Sequence, residues 1–339
     1  VRRPLPHLDA IDKLVVVLVV ASIAWSVVAA LLAGRMPSLT SPYVVAPVML
    51  AVGVGLGRLV ATRARSEHVV AALVVVTTVL FLSVIWTDGP AKRPTAYANA
   101  NAAIAVQVIG LAGLASLGAG RISRVVLWLT AAGAVAVIDA NSSRAAFVVA
   151  VPLLAAMALM TWRPARRRTW ALALGALTML VAAGALIALA ARPVWPVAVS
   201  KGLDSTRQQL WQDALNLWRQ YPIAGGGPGS FEDFSALAKD ADTVSAHSSL
   251  LQVGSETGIV GAVLLGLLAV TGLALAGRGA APYAVVGAAA WTALGIHSLV
   301  DHLLEYPPIV IAAGMVLGWA GASGSGQLDA AVDPDPAPH

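Results

Sequence analysis

The sequence predicts an all-α, polytopic transmembrane bundle of about ten spans with one long hydrophilic loop. Three observations carry that prediction: apolar runs of about twenty residues, a scarcity of charge, and a one-sided distribution of Lys and Arg. Hydrophobic residues make up 58% of the chain and charged residues 12%, against about 25% charged in soluble domains. Such a chain has too little polar surface to face water all round. Its apolar residues are also grouped into runs long enough to cross a hydrocarbon core as helices.

Seven spans are expected before the loop, over Leu14–Gly34, Tyr43–Ala61, Val69–Trp86, Ala98–Gly118, Val125–Asn141, Ala145–Thr161 and Trp170–Ala190. Three follow it, over Gly258–Ala276, Tyr283–Leu299 and Leu303–Ala322. The chain therefore divides into an N-terminal transmembrane bundle (1–190), a loop (191–257), C-terminal spans (258–322) and a polar, Pro- and Asp-containing tail (323–339) expected to be disordered. The first apolar run is longer than a secretory signal core and is read as an uncleaved span. Ser142, Ser143 and Arg144 alone separate spans five and six, a connection short enough for either a tight turn or a re-entrant pair.

Orientation follows from the basic residues of the short connections. Arg2, Arg3, Lys13, Arg58, Arg63, Arg65, Arg121, Arg124, Arg163, Arg166, Arg167, Arg168 and Arg278 lie on one side, thirteen against the four of Arg35, Lys92, Arg93 and Arg144. The richer side is cytoplasmic by the positive-inside rule, so both termini are expected inside and the long loop outside. The net charge of +5 is explained by this orientation and gives no reason to expect nucleic acid as a partner. With no Cys in the chain, thiolate catalysis, disulfides and zinc–thiolate sites are excluded.

Within the loop, Leu210, Trp211, Ala214, Leu215, Trp218 and Tyr221 recur at helical spacing. Asp204 or Ser205 can cap that helix, and Pro222 with the Gly225–Gly229 run ends it. Its aromatic face is expected along the membrane surface or against the bundle. The glycine run lacks the Lys of a phosphate loop and is read as a turn whose amides can lie near an anion.

Polar residues are so few that their grouping is informative. Asn99, Asn101, Asp139, Asn141, Ser142, Ser143, Arg144, Arg207, His247, Gln252, Glu256, His297, Asp301, His302 and Glu305 all fall at the outer face of the expected topology. Such clustering points to a site there. Asn99 and Asn101 are either helix caps or ligand groups, and Arg144 is either a snorkelling interfacial charge or a ligand. Arg207, at a helix N-terminus that disfavours cations, meets a carboxylate such as Asp204 or serves an anionic ligand. His247, flanked by Ala and Ser, is by default a solvated loop histidine. His297, Asp301, His302 and Glu305 have the spacing of a metal site, although a helix end and two prolines explain the cluster equally well.

Taken together, several stretches resemble a known family. Ser205-Thr206-Arg207 through Trp211, Tyr221-Pro222-Ile223-Ala224-Gly225-Gly226-Gly227-Pro228-Gly229-Ser230-Phe231 and His247 through Gly258 resemble the signature loop of the O-antigen ligase and polymerase superfamily of bacterial membrane glycosyltransferases. The Ser143-Arg144-Ala145 turn resembles that superfamily's Arg motif, and Tyr97–Asn101 and His297–Pro308 resemble weaker features. The chain departs from the family pattern in its expected ten spans, where about twelve are usual, and in Ser248, where Asn is common.

The resemblance implies a GT-C-like membrane enzyme in the bacterial cytoplasmic membrane. Its donor would be a glycan on undecaprenyl diphosphate and its acceptor a hydroxyl of a glycan, lipid or protein on the outer side, with no cofactor and no metal. It implies His247 and Arg207 as catalytic residues, and Arg144, Ser143, Asn99, Asn101, Gln252, Glu256 and Asp301 as substrate-binding or supporting ones. Ligase, polysaccharide polymerase and protein O-glycosyltransferase share these motifs. A glycolipid flippase, the alternative from another class, should show polar groups at both faces and the midplane.

Overall fold

A computed structural model describes residues 9–86, 95–163, 168–240 and 243–323. The expected tail from residue 324 onward, and Arg2, Arg3, Lys92, Arg93, Arg166 and Arg167, lie outside the described residues. The regular structure of the described residues is entirely helical. In chain order it runs α1 (Ala10–Leu32), α2 (Pro42–Arg63), α3 (Ser66–Ile85), α4 (Ala98–Leu117), α5 (Arg121–Ala140), α6 (Arg144–Trp162), α7 (Thr169–Ala190), α8 (Val197–Gly202), α9 (Ser205–Gln220), α10 (Ser230–Phe234), α11 (Ser249–Ala276), α12 (Ala281–Leu299) and α13 (Pro307–Ala322).

Eight helices, α1 to α7 and α11, are long and apolar enough to cross a membrane. This is a multi-pass membrane protein with eight candidate spans among the described residues, where ten are expected from hydropathy. Of the other two, α13 is apolar but only 16 residues long, and α12 dilutes its apolar run with Tyr283, His297 and Ser298. Large apolar side chains such as Val17, Leu31, Leu129, Val148 and Leu180 are exposed. Lipid is the solvent that makes this exposure favourable.

The chain forms two compact units. The first comprises Val1–Ala51, Ala176–Thr271 and Gly295–Val310. It begins with a capping box on α1, where Asp9 accepts from the Asp12 amide at 3.0 Å and Asp12 reaches back to the Asp9 amide. It has a core built on α9: Leu210, Trp211, Ala214 and Leu217 are buried with Leu186, Trp195, Phe231 and Leu251. Trp195 and Trp211 meet at 5.0 Å between ring centroids, and the Trp195 indole donates to the Leu189 carbonyl. The helical stripe read from the loop sequence is therefore a packing face. Trp218 lies against Gly254 of α11, whereas Tyr221, placed on the same stripe by spacing, is exposed at the C-cap.

The second unit comprises Val52–Gly175, Gly272–Leu294 and Ile311–His339. Its centre is α4, buried on nearly every side and packed against α3, α5 and α6, as expected for a helix apolar all round. Small residues allow close helix approach here: a Cβ on Gly57 would stand 2.1 Å from the Met315 carbonyl oxygen. The α5–α6 connection is a tight turn. Ser142 takes φ 55°, and the Ser143 hydroxyl caps α6 by accepting from the Ala146 amide at 3.4 Å.

Candidate functional site

The buried polar centre of the first unit is built around Asp301, in the short connection between α12 and α13. Its carbonyl accepts from the Ser249 amide at 3.0 Å and the Ser249 hydroxyl at 3.2 Å, fixing this connection to the first residue of α11. Its carboxylate is then presented to three side chains from different stretches. Oδ1 stands 3.1 Å from His302 Nδ1 and 3.5 Å from His247 Nδ1, and also accepts the His302 amide at 2.9 Å. Oδ2 faces the Arg207 guanidinium at 3.7 Å.

Arg207 reaches this carboxylate from the first turn of α9. Asp204 is the N-cap, accepting the Arg207 amide at 2.9 Å, so the nearby acid serves the backbone. The side chain's acid is Asp301. His247 is held just before α11 with φ 47°, a region uncommon for residues other than Gly. Two hydrogen bonds and the burial of its neighbours fix it there. The Trp211 indole donates to its carbonyl at 3.4 Å, the Ala246 amide donates to Gln252 Oε1 at 2.7 Å, and Ser248 and Ala246 on either side are fully buried. His247 is thus a buried residue, contrary to the solvated-loop alternative.

Asp301 stays ionised here. Burial alone pushes its carboxyl upward, but hydrogen bonds from His247 and His302 and the charges of His302 and Arg207 outweigh burial and hold it well below the ordinary 3.8. Glu305, one turn on, lacks such compensation: burial pushes it up, with the two histidines only partly opposing. When both Nδ1–H groups donate to Asp301, each imidazole keeps Nε2 as its basic nitrogen. That of His302 lies 3.2 Å from the Tyr306 hydroxyl. His247 Nε2 is the remaining base of the pair. The two rings meet edge to face at 4.7 Å.

Two imidazoles and a carboxylate with donor atoms within 4.8 Å of one another also match the ligand set of a divalent metal. This grouping replaces the one suggested by spacing: His247 enters, and His297 and Glu305 are not part of it. The Arg207 guanidinium, 3.7 Å from the same carboxylate, opposes a cation there.

Gln252 and Glu256 form a second layer. The Glu256 carboxylate accepts from the Gly229 amide at 2.8 Å, the Phe231 amide at 3.1 Å, the Tyr43 hydroxyl at 2.7 Å and Gln252 Nε2 at 2.9 Å. The anion near the glycine-run amides is therefore the protein's own. Backbone bonds from Gly226 to Ser255 and from Gly227 to Glu256 complete the clasp. Here α11 is kinked, with Gly258 at φ 67° and ψ −165°. A Cβ at Gly258 would lie 2.0 Å from the Ile223 carbonyl oxygen. Arg35, after α1, pairs with Asp233 of α10.

Asn99, Asn101, Ser143 and Arg144 belong to the second unit. Neither Asn caps α4: Asn99 Nδ2 donates to the Tyr97 hydroxyl and Asn101 Nδ2 to the Tyr97 carbonyl, each at 3.1 Å. Asn101 is fully buried, and its Oδ1 has no hydrogen-bond partner among the described residues. Arg144 is the first residue of α6 and is exposed.

The fold and this centre define a helical, multi-pass membrane protein with a buried guanidinium–carboxylate–imidazole cluster next to its loop helix. Residues 125–266 match the family described as O-Antigen ligase. The match takes in Arg144, Arg207, His247, Gln252 and Glu256 and ends before Asp301. No curated protein matches the chain. Tyr306 and Tyr43 are not singled out by the sequence, and His302 enters there only within the outer polar cluster and the candidate metal spacing. The adjacent Asp301-His302 pair in an apolar stretch was the available signal for His302.

Proposed function

We propose that this protein is a glycosyltransferase that moves a glycan from an undecaprenyl diphosphate carrier to an acceptor hydroxyl at the outer side of the bacterial cytoplasmic membrane. The observation that carries the reading is the sharing of Asp301: one carboxylate orients an imidazole and a guanidinium from separate stretches. His247 Nε2 takes the proton of the acceptor hydroxyl as its oxygen attacks the anomeric carbon. The bond from that carbon to the diphosphate oxygen breaks, and the carrier diphosphate leaves with the electron pair. Arg207 holds the diphosphate, its planar fork matching phosphate oxygens, and Arg144 is the other arginine we assign to donor binding. Asp301 keeps His247 in the reactive tautomer and stabilises the imidazolium it becomes.

Gln252 and Glu256 position the glycine turn, while Ser143, Asn99 and Asn101 support Arg144 and the donor. The proposed topology has ten spans, α12 and α13 included, with cytoplasmic termini and the loop outside. An undecaprenyl diphosphate leaving group drives transfer without a nucleotide or other cofactor. A polysaccharide polymerase or a protein O-glycosyltransferase would use the same groups on a different acceptor. A flippase would leave the base at His247 without a task.

The test is transfer by the purified full chain from a lipid-linked glycan to candidate acceptors, alongside identification of the lipid-linked intermediate that accumulates when the gene is deleted. Release of the carrier diphosphate with glycan on the acceptor is expected. Movement of intact glycolipid across vesicles without bond cleavage would overturn the proposal.

A further inference from the structure

In the second unit, a cavity of about 150 Å³ lies at the Ser116 end of α4, lined in part by Ser116, Arg124, Thr161 and Tyr283. Asn99 and Asn101 lie at the other end of that helix, so this cavity is separate from the groups assigned to transfer. Arg124 sits in the first turn of α5, where the helix dipole opposes a cation. It donates to the Ser116 carbonyl at 3.3 Å and the Ala119 carbonyl at 3.1 Å. These contacts cap the end of α4 and use only part of a five-donor guanidinium. No carboxylate pairs with it among the described residues. The Tyr283 hydroxyl, on the cavity wall, also has no hydrogen-bond partner among them.

The remaining polar lining cannot balance that charge. Ser116 and Thr161 each donate to a carbonyl of their own helix at 2.7 Å, and their oxygens stand 3.2 Å apart. The cavity thus offers an uncompensated guanidinium and a phenolic donor, but no anion. Its depth in the membrane is marked by Trp162, adjacent to Thr161, 74% exposed and stacked on Trp128 at 6.0 Å. Such aromatic pairs sit at the headgroup level. Arg121 and Arg163 flank the same helix ends in sequence, and basic pockets between spans at that level suit acidic lipid headgroups.

We propose that this cavity seats the phosphate of an anionic phospholipid, with Arg124 and Tyr283 as its donors. The test is titration of the purified full chain with phosphatidylglycerol and, separately, phosphatidylcholine, read by native mass spectrometry, with inorganic phosphate as a further probe. Preferential retention of phosphatidylglycerol is expected, weakened about five-fold in Arg124→Gln and weakened also in Tyr283→Phe. The latter removes no hydrogen bond of the fold and so separates the ligand role from capping of α4. Arg121→Gln, outside the cavity lining, should bind as wild type. Equal retention of the two lipids, or wild-type phosphatidylglycerol binding in both Arg124→Gln and Tyr283→Phe, would overturn the proposal. Binding of inorganic phosphate with no preference between the lipids would overturn the lipid as its source.

Discussion

His247 and His302 share one acceptor: their Nδ1 atoms stand 3.5 and 3.1 Å from the same oxygen of Asp301. With Arg207 3.7 Å from the other oxygen, one buried negative charge organises three cationic or proton-bearing side chains. Removing that charge should act through all three partners at once, because they lose their reference point together. Asp301→Asn should lower transfer by about a hundredfold or more while the protein still inserts and purifies. Steady-state kinetics of the purified variant would check this.

The same carboxylate predicts a pH dependence of stability. Its folded pKa lies below the ordinary 3.8. Its contribution is therefore fully present above that value and lost as pH falls through the folded pKa. The difference in melting temperature between wild type and Asp301→Asn should stay constant from about pH 8 to about pH 5 and shrink below about pH 4. Scanning fluorimetry in detergent across that range would reveal a different window if the carboxylate were protonated at neutral pH.

His247→Ala should reduce turnover by about 10² to 10⁴ with little change in donor affinity. His302→Phe keeps the ring against His247 but removes both nitrogens, and should lower kcat by less than His247→Ala. Equal kcat for wild type and His247→Ala would remove the base from the mechanism.

Arg207→Lys separates charge from shape. A single ammonium cannot hold two phosphate oxygens in the plane of a fork, so the Lys variant should raise the donor KM and lower kcat almost as far as Arg207→Ala. Full activity of either variant would show that the diphosphate is held elsewhere. Transfer should also persist in chelator, because the proposed chemistry uses protons where a metal would otherwise sit. Loss of activity restored by a divalent ion would reassign His247, Asp301 and His302 as ligands.

Glu256→Ala leaves the Phe231 amide buried without its acceptor and removes the partner of the Gly229 amide. A cost of about 1–3 kcal/mol per buried unsatisfied group is expected. Thermal unfolding should drop accordingly, with the loss appearing also in kcat/KM as the glycine turn loosens.

Much of this architecture is legible in the sequence where one physical rule dominates. Apolar run length locates α1 to α7, and helical spacing with an Asp cap locates α9, because lipid and the loop core each impose their own periodicity. The start of α11 is not legible that way. Gln252, Ser255 and Glu256 read as loop by hydropathy, yet they belong to α11, where the glycine turn bonds to Ser255 and Glu256 and Gln252 bonds to Glu256. The candidate site was legible as an inventory of rare polar residues but not as a set of partners. Spacing offered Asp204 as the acid for Arg207, and nothing local indicates that Asp301 takes that place. His302 entered only as part of a spacing-based metal pattern, since its role depends on sharing an oxygen with a residue more than fifty positions away.

The bond between Ser249 and the Asp301 carbonyl joins stretches that leave the ribosome at different times. During synthesis the guanidinium and the first imidazole emerge well before the acid that aligns them, so a nascent chain carries the cationic half of its chemistry without the half that makes it reactive. On the proposed function, the centre is complete only once the connection between α12 and α13 has docked on α11.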